Sequence, residues 1–298
     1  MRTPIFGPEV LAGKRILITG GGTGLGRAVA GRLVDHGAHV HLWGRREAVL
    51  REAAAEISGH APGQAHFQAV DVRDGDQVDA AVQQIFDEHG PLTGLINNAA
   101  ANFIAPTVSI SPRAFQAVTS TVMNGSFNTT HACGRRWIEG GLKGSVVSTL
   151  TTWIWSGSAF VTPSAMAKAA VHSMTMSLAV EWGRYGIRLN AIAAGPIPTD
   201  YAWEMLNPTD KSSVGATQAD TIPMQRFGTI EELANLNIFL LSDACDYLTG
   251  AAIAMDGGQH LAGPGTFAGL TTLSDEDWAE ARERSRAASD AAKAQRTV

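Results

Sequence analysis

Cysteine is nearly absent: Cys133 and Cys245 are the only two in 298 residues. Two thiols cannot build the framework of a disulfide-stapled domain, and each reads as a small buried residue rather than a reactive one. Long hydrophobic runs are also missing. No stretch reaches the roughly 20 apolar residues that span a bilayer, so no membrane helix is expected. The first residues carry neither region of a signal peptide, and Arg296-Thr297-Val298 matches no peroxisomal or retention signal, so a cytoplasmic enzyme is the expectation. Basic clusters are missing as well. The formal net charge is −5 and the basic residues are scattered, which argues against a nucleic-acid surface. The nine histidines are scattered without metal-ligand spacing, so no metal is expected. Tyrosine is scarce, with only Tyr185, Tyr201 and Tyr247.

What is present is apolar residue and glycine. The chain is 45% hydrophobic and has 32 glycines, enough for one large core with many tight turns. Strand-like runs at Lys14–Thr19, His39–Trp43, His66–Val72 and Leu92–Asn97 alternate with helical stretches at about Leu25–His36, Glu47–Ile57 and Gln77–His89. This alternation predicts a doubly wound α/β fold, a parallel sheet with helices on both faces. Pro112–Glu139 contains a long helix, Ser145–Leu150 and Arg188–Ile192 read as strands, and Ser164–Gly183 and Ile230–Leu241 as helices. Ala251–Met255 is the last strand. Residues 1–262 thus form a single Rossmann-type domain, including a mobile substrate loop at about 201–228, where Asn207–Gly228 is rich in Pro, Thr, Ser and Gly. Residues 263–298 form a helical extension that opens on a capping box at Ser274–Asp277.

The turn Thr19-Gly20-Gly21-Gly22-Thr23-Gly24-Leu25-Gly26 joins the first strand to the first helix. Its glycines let the backbone approach a pyrophosphate, and the helix start offers free N–H groups and a positive dipole end. Gly20, Thr23, Gly24, Leu25 and Gly26 are therefore candidate dinucleotide contacts. The second strand runs into Gly44-Arg45-Arg46. An acidic residue there would bind a ribose 2′-hydroxyl, whereas an arginine suits a 2′-phosphate, so NADP(H) is favoured over NAD. The alternative is that Arg45 and Arg46 form a solvated pair. Asp71 and Val72, after the third strand, are placed to cover the adenine, unless Asp71 only caps a turn.

The Thr-Gly-xxx-Gly-x-Gly turn, Asn97-Asn98-Ala99-Ala100, Lys168 and Gly195-Pro196-Ile197-Pro198-Thr199 together resemble the short-chain dehydrogenase/reductase family from Lys14 to about Gly258. Within it, Asn97–Ile104, Phe160–Lys168, Ala194–Ile197, Thr229–Asn235 and Asp256–Gly258 are similar to the mitochondrial-type 2,4-dienoyl-CoA reductases. The resemblance implies that Asn98, Ala99 and Ala100 lie along the cofactor. Gly195, Pro196, Ile197 and Thr199 would meet its nicotinamide end, and Lys168 would bond the nicotinamide ribose. It also implies a homotetramer, and reduction of a conjugated thioester by NADPH.

The catalytic pattern departs from the family's. The usual Tyr-xxx-Lys reads Ser164 and Lys168 here, one helical turn apart on one face. The upstream serine position is Thr151, and the usual helix asparagine falls at Val122. An aliphatic alcohol is a far poorer acid than a phenol, and general acid catalysis is worth about 10²–10⁴-fold. Dienoyl-CoA reductases share this serine and rely on a tyrosine, an asparagine and the lysine. Those positions are Trp153, Asn102 and Lys168. An indole N–H donates a hydrogen bond without giving up its proton. Asn102 and Trp153 would then form an oxyanion hole, with protonation from water or from Ser164 in a relay with Lys168. The bland alternatives are core packing for Trp153 and a turn role for Asn102.

The resemblance suggests Arg45, Arg73, Phe103 and Ser111 as contacts to an acyl-CoA, with Met205 near where a family arginine meets substrate. Arg73 could equally form a surface salt bridge. Trp153, Trp155, Phe160, Trp203 and Met205 would line an apolar pocket. His172 reads as a subunit-interface residue, and Tyr201 as a surface aromatic. Two rival functions stand beside reduction of a conjugated enoyl or dienoyl thioester. One is alcohol/carbonyl chemistry with an atypical acid. The other is cofactor binding with little catalysis.

Overall fold

The structure is a computed structural model that describes residues 6–59, 63–102, 104–199 and 219–263, with a few tail residues between 274 and 283. Phe103, Tyr201, Trp203, Met205, most of the expected substrate loop and most of the tail helix lie outside the described residues.

The elements follow the expected alternation: β1 (Arg15–Thr19), α1 (Gly24–Asp35), β2 (His39–Gly44), α2 (Glu47–Ser58), β3 (Gln64–Ala69), α3 (Gly75–His89) and β4 (Gly94–Asn97). Next come α4 (Pro112–Thr119), a π-helical turn (Ser120–Asn124), α5 (Gly125–Glu139), β5 (Gly144–Thr151) and a short α6 (Trp153–Ser156). The chain continues through α7 (Thr162–Trp182), β6 (Ile187–Ala194), α8 (Ile230–Leu241), β7 (Ala252–Met255) and a short α9 (Gln259–Ala262). The strands form one seven-stranded parallel sheet in the order β3-β2-β1-β4-β5-β6-β7. The order reverses between β1 and β4, so a crevice opens above the carboxyl ends of those two strands.

Helices cover both faces, and the strands are accordingly apolar on both. Ile16, Leu17 and Ile18 of β1 are each at most 1% exposed. On one face Ile16, Ile18, Val40 and Leu42 pack with α1, α2 and α8 through Val29, Leu33, Leu50 and Ile238. On the other, Leu17, Leu95 and Val146 pack with α3 and α5 through Val78, Val82, Ile85 and Trp137. Trp137 is fully buried, and its indole N–H donates to the Leu92 carbonyl at 2.7 Å.

Side chains set the element ends. Asp74 accepts from Asp76 N and Gln77 N to start α3, and Ser111 accepts from Ala114 N to start α4. Thr229 and Glu232 form a reciprocal capping box on α8. The tail's capping box is present too, with Asp277 N donating to Ser274 Oγ at 3.1 Å. Both cysteines are buried, as expected, and burial pushes the Cys133 thiol up to about 12. No described helix is long and apolar enough to cross a membrane.

The scattered histidines do not all stay apart. His41 on β2 faces its cross-strand partner His66 on β3, and His89 ends α3. Their ring centroids lie 5.0, 4.9 and 4.2 Å apart, although no group among the described residues could hold a metal ion. His41 is 1% exposed and its Nε2 has no hydrogen-bond partner. Burial first, then the neighbouring His66 and His89, lowers its pKa from the ordinary 6.5 to about 3. A base with a depressed folded pKa is held neutral by the fold. The stability involved is therefore complete above pH 6.5 and declines as pH falls toward 3. Wild-type protein is expected to lose about 3 kcal/mol between pH 7 and pH 4 through this group. Urea denaturation across that range should show His41→Leu losing less; equal losses would contradict the assignment.

Candidate active site

The glycine turn after β1 is built for close approach. Gly20 and Gly24 have φ of +67° and +53°, in the left-handed region that favours glycine. A Cβ on Gly26 would sit 2.6 Å from Asn98 Nδ2 and closer still to the Gly20 carbonyl oxygen. Across the crevice, Thr19 Oγ1 accepts from the amides of Asn98 and Ala99, both at 3.0 Å, and Asn98 Nδ2 donates to the Thr19 carbonyl at 3.1 Å. Asn98 and Ala99 thus clamp the turn. Just below them, buried Asn97 is fixed by Thr129 and Thr130 of α5.

A dinucleotide fits this cradle. Thr23 supplies no side-chain cap to α1, and no acidic residue lies in its first turn. The first amides of the helix are therefore free for an anion. A Cβ on Gly24 would meet nothing within 4 Å, so the turn is open on that side. Arg45 and Arg46 are exposed at the end of β2 and have no ion-pair partner among the described residues.

Arg73 is placed differently. Its Nε donates to both Asp71 oxygens, at 2.9 and 3.0 Å. The Arg73 hydrogen bond holds the Asp71 carboxyl below its usual range, with Arg45 adding its charge. This geometry favours the salt-bridge reading of Arg73. Val72 is buried against Gly125 of α5, and its carbonyl accepts from Asn128 Nδ2 at 3.0 Å. The Ser111 hydroxyl is likewise engaged locally, capping α4.

A small apolar patch lies among the segments that carry the reaction-side residues. Val122, Leu150, Ala167 and Val171 pack together, with Ala101 and Ile154 against them. Asn102, Thr151, Trp153 and Lys168 are the immediate chain neighbours of Ala101, Leu150, Ile154 and Ala167. The loop carrying Asn102 is tied to the start of α7: Ala105 N donates to the Phe160 carbonyl at 2.9 Å, and Thr107 Oγ1 lies 2.9 Å from Thr162 Oγ1. Phe160 holds φ of +65°, a strained conformation for a bulky residue, at this junction.

Lys168 is buried on α7 and donates to the Thr149 carbonyl of β5 at 3.0 Å. Burial lowers its pKa from 10.5 to about 8. Ser164, one turn earlier, is 1% exposed. Thr151 Oγ1 is buried without a partner. Neither the Asn102 amide nor the Trp153 indole N–H is bonded among the described residues, and both side chains are half-buried. Among the described residues this leaves two unbonded donors, one after β4 and one after β5, and an unbonded hydroxyl at the end of β5. Ala100, Gly195, Pro196 and Thr199 lie beyond the ends of β4 and β6, and Ile197 is buried beside Gly228.

Two features were not expected from the sequence. Trp153–Ser156 forms a short helix, a segment to which the sequence reading assigns no element. The long helix Pro112–Glu139 is interrupted by the π-turn that holds Val122. A cavity of about 1300 Å³ bordered by Arg32, Pro196, Ile222 and Phe239 includes none of Asn102, Trp153, Ser164 or Lys168.

A doubly wound parallel sheet with a glycine cradle at its switch point and a buried lysine beyond β5 defines a nicotinamide-dependent oxidoreductase. The family model described as "Enoyl-(Acyl carrier protein) reductase" matches residues 20–260. The chain belongs to the short-chain dehydrogenase/reductase family. It is 41% identical over 249 residues to a probable 2,4-dienoyl-CoA reductase, (2E)-enoyl-CoA-producing, from Bacillus subtilis, covering 83% of this chain and 97% of that one. It is 38% identical to a probable (3E)-enoyl-CoA-producing 2,4-dienoyl-CoA reductase of Caenorhabditis elegans, covering 93% and 91%. A short-chain dehydrogenase structure from Bacillus anthracis superposes with a TM-score of 0.74 at 41% identity, covering 83% and 96%.

Proposed function

We propose that the protein reduces a conjugated 2,4-dienoyl thioester, such as a dienoyl-CoA, with NADPH. The observation that carries this reading is the pairing of absences and free donors at the site. Ser164 stands where a carbonyl reductase needs its acid, while Asn102, after β4, and Trp153, after β5, offer donors unbonded among the described residues. The names of the related proteins support the same chemistry.

NADPH, when bound, supplies the hydride. Addition to the far end of a conjugated system leaves negative charge on the thioester oxygen rather than making a carbinol. The Asn102 amide and the Trp153 indole N–H donate to that oxygen, an arrangement typically worth about 10²–10³ per donor. Lys168, released from Thr149, bonds the nicotinamide ribose and adds positive charge. Thr151 and Ser164 supply hydroxyls to the same space. The test is turnover: NADPH oxidation with 2,4-dienoyl-CoAs and none with simple ketones. Turnover of ketones alone would assign the site to carbonyl chemistry.

The choice of NADPH over NADH rests on Arg45 and Arg46, beside which β2 ends in Gly44 instead of an acid. A charge-assisted hydrogen bond to phosphate is worth about 1.5–3 kcal/mol, or roughly 10- to 100-fold. Arg45→Glu is expected to raise the Kd for NADPH by about that factor and to leave NADH within about 3-fold. Parallel losses for both dinucleotides in a fluorescence titration would contradict the assignment.

Exposed Phe127, Met166, Met176 and Val180 on α5 and α7 support self-association, consistent with a homotetramer. A cytoplasmic location fits the same reading.

A further inference from the structure

The reaction requires a proton as well as a hydride, and neither tyrosine position of the family supplies one. Ser164 and Trp153 are both poor acids. An imidazole held by a carboxylate stands at the same end of the sheet. His260 Nδ1 lies 2.8 Å from Asp256 Oδ2, and the His260 amide donates to that oxygen at 2.7 Å. The Gly258 amide donates to Asp256 Oδ1 at 2.9 Å. The Asp256 side chain is 3% exposed and that of His260 19%. Burial alone would raise the Asp256 carboxyl, but the His260 and Gly258 hydrogen bonds hold it below its usual range. With Nδ1 committed to the carboxylate, Nε2 is the nitrogen left without a partner among the described residues.

The couple touches segments that flank the site, while Asp256 and Gly258 also border the cavity of about 1300 Å³. Asp256 follows β7 and packs against the start of the Gly195–Thr199 segment, since a Cβ on Gly195 would sit 2.7 Å from both Asp256 Cα and Cβ. The His260 ring lies 5.0 Å from the Trp155 ring, centroid to centroid. Trp155 is two residues past Trp153 on α6, and its other neighbour, at 6.4 Å, is His172, one turn beyond Lys168 on α7. The couple thus contacts the segments that follow β5 and β6.

We propose that His260, oriented by Asp256, is a catalytic residue that donates the proton completing reduction of the dienoyl thioester. This rests on the function proposed above. The imidazolium Nε2–H bond breaks with its electrons remaining on nitrogen. The proton joins a carbon of the charged, delocalised substrate, whose electron pair forms the new C–H bond. The substrate has by then accepted a hydride from the nicotinamide reductant. Solvent returns a proton to the neutral imidazole, and Asp256 holds the ring through both states.

The experiment uses the full chain with NADPH and 2,4-hexadienoyl-CoA. His260→Ala should lower kcat by about 10²-fold or more, within the range for a lost general acid, and leave NADPH affinity within about 3-fold. Added imidazole should restore part of the rate, and the restored rate should track the pKa of substituted imidazoles. His260→Gln, which keeps a hydrogen-bonding side chain, should be equally slow. Wild-type kcat in either variant would overturn the proposal, as would a slow His260→Ala enzyme that binds NADPH normally and is not rescued. A variant that has lost NADPH binding as well would assign His260 a structural role and overturn it too. Absence of dienoyl-CoA turnover by the wild-type protein would remove the proposed function itself, and this inference with it.

Discussion

Replacing Lys168 with methionine is expected to lower kcat/KM for a 2,4-dienoyl-CoA by about 10³-fold, the middle of the range for removing a positioned acid–base or electrostatic group. The lysine is buried beside β5, and among the described residues it has a single carbonyl partner, Thr149, and no bonded carboxylate. Its charge has therefore been kept at a desolvation cost, which lowers its pKa from 10.5 to about 8. A buried cation with no counter-ion among the described residues is poised for a ligand. The pH dependence follows with a definite sign. The ammonium form persists below about pH 8 and is lost above it, so wild-type kcat/KM should fall as pH rises through that value. Lys168→Met should lack this alkaline limb, because methionine has nothing to titrate. Steady-state rates from pH 6 to 9.5 give both results. A variant within ten-fold of wild type, or an unchanged limb, would remove Lys168 from the chemistry.

The second large effect is expected at Gly26. An alanine Cβ would meet Asn98 Nδ2 at 2.6 Å and the Gly20 carbonyl oxygen at still shorter range. Backbone on one side and a doubly bonded amide on the other leave no flexible neighbour to give way. Overpacking of this kind costs about 1–3 kcal/mol, and here it falls on the turn that approaches the pyrophosphate. Gly26→Ala should raise the Kd for NADPH by about 10²-fold and lower Tm by several degrees. Gly31 in the same helix is the control. A Cβ there meets only Ile57 Cγ1 at 3.9 Å, so Gly31→Ala should be neutral or stabilising by up to about 1 kcal/mol. Normal NADPH binding by Gly26→Ala would contradict the placement of the cofactor.

The sheet was legible from the sequence because both of its faces are buried. β1 is apolar at every central position, and the glycine turn marks where it ends. The edge strand shows what was not legible. Apolar character extends from His66 through Val72, yet pairing with β2 runs from Gln64 to Ala69. Val70 and Val72 are buried after the ladder has ended, and hydrophobicity alone cannot separate a paired residue from one that only packs. β6 erred in the other direction. Its eight residues are all buried, but alanines at its end conceal the strand beyond Ile192.

The candidate site divides in the same way. Thr151, Ser164 and Lys168 have local spacing that a sequence can show. The placement of Asn102 depends on the loop after β4 being tied to Phe160 and Thr162, a long-range contact without a periodic signal. The roles given to Arg73 and Ser111 read differently once their partners are visible, because each side chain already has a local task. His260 had one available signal, its spacing of four from Asp256, which is weak until burial and the neighbouring tryptophan are known.

The central claim is that hydride reaches a carbon of the conjugated chain and the thioester carbonyl survives. Turnover of 2,4-hexadienoyl-CoA with NADPH deuterated at the reactive position, read by NMR and mass spectrometry of the product, tests it directly. The prediction is an enoyl thioester carrying one deuterium on its acyl chain. Deuterium at an alcohol carbon would show carbonyl reduction instead, and the assignment of this site would be wrong.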